Sequence, residues 1–251
     1  MIGMRLEQAT QAVGGSLLGQ DAAFQGVSTD TREDLAGSLF VALRGERFDA
    51  HDYAGQAANG QAAALLVERD TGVDKPQILV PDTLASLGLL AQAWRGGFTR
   101  PLVAITGSNG KTTVKQMVAS ILSQRGRVHA THGNLNNHIG VPKTLFELGD
   151  GHDYAVVEMG ANHAGEIEYL VSLAQPDAAL ITNAGPAHLE GFGDLDGVAN
   201  AKGEIFAGLP DTSTAVINFD DPYAPLWREL AGDRVVIGFG LEAQNGDFRG
   251  E

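Results

Sequence analysis

Ile105-Thr106-Gly107-Ser108-Asn109-Gly110-Lys111-Thr112-Thr113 carries the strongest signal in this chain. The apolar run Leu102–Ile105 leads into it, and the helical stretch Val114–Leu122 leads out. Glycines let a backbone wrap phosphate oxygens, and a helix start offers N–H groups and partial positive charge to them. Lys111 is placed to reach the outer phosphates of a nucleotide, and the Thr112 hydroxyl to sit on Mg²⁺. The candidate phosphate-contacting residues are Gly107, Ser108, Asn109, Gly110, Lys111, Thr112 and Thr113. The usual eight-residue pattern would have glycine at position 105, so this loop is a compact variant.

Downstream, the same strand–turn–helix pattern recurs. Tyr154–Val157, Ala178–Ile181, Ala215–Ile217 and Val235–Ile237 are short, apolar and rich in β-branched residues. Such runs suit a mostly parallel sheet covered on both faces. Ligands in these sheets bind outside the carboxyl ends of the strands. Glu158 follows one strand, Thr182-Asn183-Ala184-Gly185 another and Asn218 a third, so one sheet edge collects polar groups. Upstream, Leu39–Leu43, Ala63–Val67 and Gln77–Val80 read as strands, with Tyr53–Ala62 as a helix between the first two. Asp82 is the expected cap of a further helix running to Trp94. The fold expected is α/β: a small N-terminal α/β domain over 1–82 and a larger nucleotide-binding domain over 83–251.

Composition narrows the function. With 17 Lys+Arg against 31 Asp+Glu, the net charge is −14. No basic footprint for nucleic acid or an anionic membrane is present. The absence of cysteine removes disulfides, thiolate zinc sites and thiol nucleophiles. Met1–Ala12 lacks the long apolar core of an export signal, and no run reaches the roughly 20 apolar residues of a spanning helix. A cytoplasmic location without membrane insertion is the expectation.

Glu158 closes an apolar strand, where an unpaired carboxylate would be costly to bury. Mg²⁺ takes oxygen ligands, commonly one or two carboxylates with phosphate oxygens. The amide-rich loop His132-Gly133-Asn134-Leu135-Asn136-Asn137-His138 can make several directional hydrogen bonds, which makes Asn134, Asn136 and Asn137 recognition candidates. His188 and Lys202 are mute by spacing alone: a loop histidine and a solvated lysine are the ordinary readings.

Several longer runs resemble the Mur ligase family of peptidoglycan synthesis. Thr106–Thr113 is similar to its ATP loop. Gly133–Pro142, Glu158–Ile167, Ala187–Gly193 and Ala201–Phe206 resemble the branch that joins D-alanyl-D-alanine to UDP-N-acetylmuramoyl-tripeptide. Ser28–Arg32 and Gly45–Tyr53 resemble its UDP-sugar domain. The resemblance implies that the substrate carboxylate attacks the γ-phosphate of ATP, and that the amine of D-alanyl-D-alanine then attacks the acyl phosphate. It implies two Mg²⁺ ions, one held by Thr112 and Glu158 and a second by His188 with a carbamylated Lys202. It places Thr31, Arg47 and Phe48 at the uridine end, and Asn137 near metal and substrate. Lys111, Glu158, His188 and Lys202 become the expected catalytic set. The family also implies a third domain that is not visible in these residues, so the chain reads as the N-terminal and central parts of a ligase that is monomeric at full length. The alternatives are another Mur ligase, a folylpolyglutamate synthetase-like ligase, a fragment that only binds the UDP substrate, and a P-loop switch. No guanine-reading motif supports the last.

Overall fold

A computed structural model describes residues 3–45, 47–187, 189–242 and 246–249, and for Leu189 the backbone alone. The chain forms two compact units, 1–98 with 145–150, and 99–144 with 151–251.

In the first unit, β1 (Met4–Arg5), α1 (Leu6–Val13), β2 (Ser16–Leu18), β3 (Ala23–Phe24), β4 (Gly26–Ser28) and β5 (Ser38–Val41) come first. A 3-10 turn (Ala50–Tyr53), α2 (Ala54–Asn59), β6 (Ala64–Val67), β7 (Gln77–Leu79) and α3 (Thr83–Gly96) follow. The sheet runs β2-β7-β6-β5-β4, antiparallel only between β2 and β7, while β1 and β3 pair separately. The helix expected from Tyr53 begins as the tighter turn, because Asp49 Oδ1 accepts the His51 N–H at 3.0 Å and starts the coil early. Phe40, Leu65 and Val67 pack with Ala50, Ala54 and Ala57 beneath α2.

Asp82 caps α3 as expected, its Oδ1 accepting the N–H groups of Leu84 at 2.8 Å and Ala85 at 2.9 Å. The division of the chain differs from the expected break after residue 82, since α3 belongs to the first unit. Its Leu87, Leu90, Ala91 and Trp94 are buried, and the Trp94 ring lies 6.0 Å from Phe24 and 5.8 Å from Phe146. Losing such a ring typically costs about 3–5 kcal/mol, enough to hold α3 with the domain before it.

The second unit contains β8 (Leu102–Thr106), α4 (Lys111–Leu122), β9 (Val128–Ala130), the start of α5 (Gly140–Phe146), β10 (Tyr154–Glu158) and α6 (Glu166–Ala174). Then come β11 (Ala178–Ile181), α7 (Leu189–Phe192), α8 (Leu195–Ala207), β12 (Thr214–Asn218), α9 (Ala224–Ala231), β13 (Val235–Gly240) and β14 (Phe248–Arg249). All the pairings are parallel, in the order β14-β13-β12-β11-β8-β10-β9. Each strand expected from sequence in this unit lies in that sheet. Strand β8 is interior, with Ala104 opposite Val157 of β10 on one side and Ala179 of β11 on the other. This register brings the loops after β8, β10 and β11 to one edge. Among the described residues, no helix is long and apolar enough to cross a membrane.

Candidate active site

The loop after β8 is strapped to the loop after β11. Ser108 N–H donates to Asn183 O at 2.9 Å, and Asn109 N–H to Asn183 Oδ1 at 3.1 Å. Thr182 Oγ1 donates to Asn109 O at 2.7 Å, and the Ser108 hydroxyl donates to Gly185 O at 3.0 Å. Gly107 has φ +141°, and a Cβ there would lie 2.0 Å from Thr182 Oγ1, so both backbone and space require glycine. The loop is thus held in shape by the protein's own hydrogen bonds, and it delivers the chain into the first turn of α4. Lys111 Nζ donates to Gly107 O at 2.7 Å and to Ser108 O at 3.2 Å, so it already lies along the loop. Burial pushes the Lys111 ammonium below the usual lysine range, partly offset by the negative Glu158.

Glu158, at the end of β10, is 2% exposed and every oxygen is bonded. Its Oε2 accepts from the Thr112 hydroxyl at 2.9 Å and lies 3.3 Å from Lys115 Nζ, while Oε1 accepts from Asn136 Nδ2 at 2.9 Å. Its own N–H donates to Thr131 Oγ1 at 2.9 Å. A threonine hydroxyl touching a carboxylate beside a phosphate loop is a hard-oxygen donor pair, and it fits Mg²⁺. Lys115 was not singled out by sequence, because its spacing four residues after Lys111 is that of any solvated helix lysine. A buried strand-end glutamate opposite α4 is the signal that could have found it.

Asn134, Asn136 and Asn137 line one cleft of about 340 Å³ together with Lys111, Glu166 and Lys202. Asn136 is locked from both ends, since its carbonyl also accepts the Gly160 N–H at 2.8 Å. The Asn137 side chain caps α5, with Oδ1 accepting from Gly140 N at 2.8 Å. Lys202, on α8, is 2% exposed and its Nζ sits 5.2 Å from the Phe192 ring. It is therefore not the solvated lysine that spacing alone suggested. Burial, reinforced by the nearby positive Lys111, holds its amine down to about 8. Glu166 faces the same cleft. Burial alone would raise its carboxyl, but N–H groups of Asn162 and His163 and the His163 ring bring it below the usual range. His188 lies outside the described residues.

In the first unit, Thr31 and Phe48 line a cavity of about 560 Å³ with Asp30, Arg32, Tyr53 and Gln56. Phe48 and Tyr53 stack at 5.4 Å and stay 53% and 43% exposed, an aromatic surface open to a planar ring. Arg32 forks onto Asp30 at 2.6–3.1 Å. Arg47 is exposed and is not part of this lining, which departs from the expected uridine set. Tyr53 and Gln56, from the turn at Ala50–Tyr53 and the helix that follows it, line the same cavity as Phe40 of β5.

The Mur ligase middle domain family matches residues 105–251. The UDP-N-acetylmuramoyl-tripeptide–D-alanyl-D-alanine ligase of Escherichia coli is 52% identical over 99% of this chain and 55% of that protein. A crystal structure of MurF from Acinetobacter baumannii superposes with TM-score 0.91 at 38% identity, over 99% of this chain and 55% of that one. MurF from Thermotoga maritima, solved in complex with ADP, gives TM-score 0.80 at 35% identity over 89% of this chain and 51% of that one. The chain spans about half the length of the curated relatives it matches.

Proposed function

The chain belongs to the Mur ligase family, and from that premise we propose that it is the acid- and ATP-holding portion of a cytoplasmic UDP-N-acetylmuramoyl-tripeptide–D-alanyl-D-alanine ligase. The observation that carries this reading is the strapped loop Gly107–Gly110 with the Thr112–Glu158 contact of 2.9 Å at its rim. In this reading the loop N–H groups and Lys111 hold the nucleotide phosphates, and Thr112 and Glu158 hold one Mg²⁺. The ion supplies charge neutralisation where carboxylate and phosphate, both anionic, must meet. The cleft amides Asn134, Asn136 and Asn137 orient the tripeptide end, and the Phe48–Tyr53 stack takes the uracil. The carboxylate attacks the γ-phosphate, ADP leaves, and the amine of D-alanyl-D-alanine then displaces phosphate from the acyl carbon.

The Lys202 carbamate and a second ion belong to the same proposal. An amine held near about 8 keeps a neutral, nucleophilic fraction at ordinary pH. That form adds to CO₂ and releases one proton, leaving a carboxylate in the cleft. Arginine keeps charge and length but cannot form the carbamate, so Lys202→Arg is expected to lose most activity at ordinary CO₂, and wild-type turnover in that variant would refute the carbamate.

The function itself is tested on the full-length gene product. Phosphate release should require ATP, UDP-N-acetylmuramoyl-tripeptide and D-alanyl-D-alanine together, and Lys111→Ala should abolish it while the variant stays folded. Equal turnover with a single amino acid in place of the dipeptide would move the protein to another branch of the family.

A further inference from the structure

Lys115 is the one buried residue of α4, a helix whose apolar Met117 and Ile121 are instead exposed. Placing a charge in the buried position needs a reason, because a buried ammonium is costly unless paired and hydrogen-bonded. The pairing is complete: Nζ donates to Thr131 O at 2.8 Å and Gly133 O at 3.4 Å, and lies 3.3 Å from Glu158 Oε2. That oxygen also accepts from Thr112. The i and i+4 lysines of α4 therefore divide the work: Lys111 lies along the phosphate loop, and Lys115 lies under the carboxylate.

Resting on the metal reading above, we propose that Lys115 is a positioning residue that acts as a permanent counterion to Glu158. It cancels the charge of the carboxylate, so that a divalent ion loads only together with a nucleotide. The physical reason is electrostatic. A free ion arriving at Thr112 and Glu158 meets a carboxylate already neutralised by an ammonium, with its other oxygen held by Asn136. The attraction that remains must come from phosphate charge, which an ion complexed to ADP or ATP brings with it.

The test is Mn²⁺ binding followed by electron paramagnetic resonance on wild type, Lys115→Met, Glu158→Gln and the double variant. Without nucleotide, Lys115→Met should bind Mn²⁺ at least tenfold more tightly than wild type, and the gain should vanish when Glu158→Gln is added. With ADP present, Lys115→Met should show no such gain. A merely structural lysine would leave free-ion affinity unchanged or lowered, and either result overturns the proposal, as does a gain that persists without Glu158. Lys115→Gln keeps a donor for the Thr131 carbonyl and is read on the same scale if Lys115→Met does not fold. Failure of both to fold would assign Lys115 to the core alone. Absence of ADP binding by wild type would instead refute the ATP-loop reading, so the two failures are distinguishable.

Discussion

Replacing Gly107 by alanine tests whether the loop's shape, rather than its charge, creates the nucleotide site. The new Cβ would lie 2.0 Å from Thr182 Oγ1 and 3.1 Å from both Thr182 Cβ and N. Real Cβ contacts do not fall below 3.0 Å, so something must move by about an ångström. Thr182 is poorly free to do so, since its N–H donates to Thr106 O at 3.0 Å and its hydroxyl to Asn109 O at 2.7 Å. Holding alanine at φ +141° adds a backbone cost of about 1–3 kcal/mol. Losing the Thr182–Asn109 hydrogen bond adds about 1 kcal/mol. Relaxation of the loop to avoid both removes the shape that accepts phosphate. If about 3 kcal/mol falls on the binding geometry, MgADP affinity drops roughly a hundredfold. Calorimetric titration measures this, with circular dichroism confirming that the variant is folded. Adding Thr182→Ala removes the clash with Oγ1 but leaves the dihedral cost, so the double variant should recover part of the loss. MgADP binding within threefold of wild type in Gly107→Ala would refute the reasoning.

Lys202 makes a pH prediction. Its folded pKa of about 8 lies below the ordinary 10.5, so between these values the unfolded chain binds more protons and stability rises with pH. Below about 8 both states are protonated and the burial penalty is complete. Lys202→Met should therefore melt higher than wild type at pH 7 in CO₂-free buffer, with the difference shrinking as pH rises from 8 towards 10. A difference constant across that range would show that the penalty is not electrostatic. In the first unit, Phe48→Ala should weaken binding of UDP about tenfold, the worth of one aromatic stack, and leave MgADP binding unchanged. Equal loss of both ligands would point to misfolding instead.

The second unit was legible because its strands are continuous apolar runs of the length a doubly covered parallel sheet demands. The edge strand β9, Val128-His129-Ala130, was not, since a three-residue run with a central histidine has no periodicity to read. Helix α6 has no local start signal for a different reason: Gly165 begins it from a left-handed turn, and the carboxylate that accepts the N–H groups of Gly165 at 2.7 Å and Glu168 at 3.2 Å comes from Glu204, far along the chain. Asp82 is a true helix cap, and a cap marks where a helix begins without saying which core receives its apolar side, so the sequence alone does not assign α3 to a unit. At the candidate site, local pattern singles out the glycine loop, Thr112 and Glu158, and the structure brings these residues together. Lys115 was hidden because burial of a lysine depends on β9 and β10 crossing beneath α4, which no local window contains. The Lys202 environment is equally invisible in sequence, as its neighbours Phe192 and Lys111 come from the end of α7 and the start of α4.

The strapping of the phosphate loop also bears on how the chain is made. Asn109 and its partner Asn183 are separated by 74 residues of sequence. At a synthesis rate of about 5–20 residues per second, a ribosome needs roughly 4–15 s to deliver the second after the first. Throughout that interval β8 has no neighbour on its β11 side, and the glycine loop lacks its bonds to Thr182, Asn183 and Gly185. The straps that shape the loop can form only after β11 has emerged. A codon-level slowing between β10 and β11 would thus prolong exposure of this interior strand, and substitutions there should lower soluble yield before they alter the finished protein.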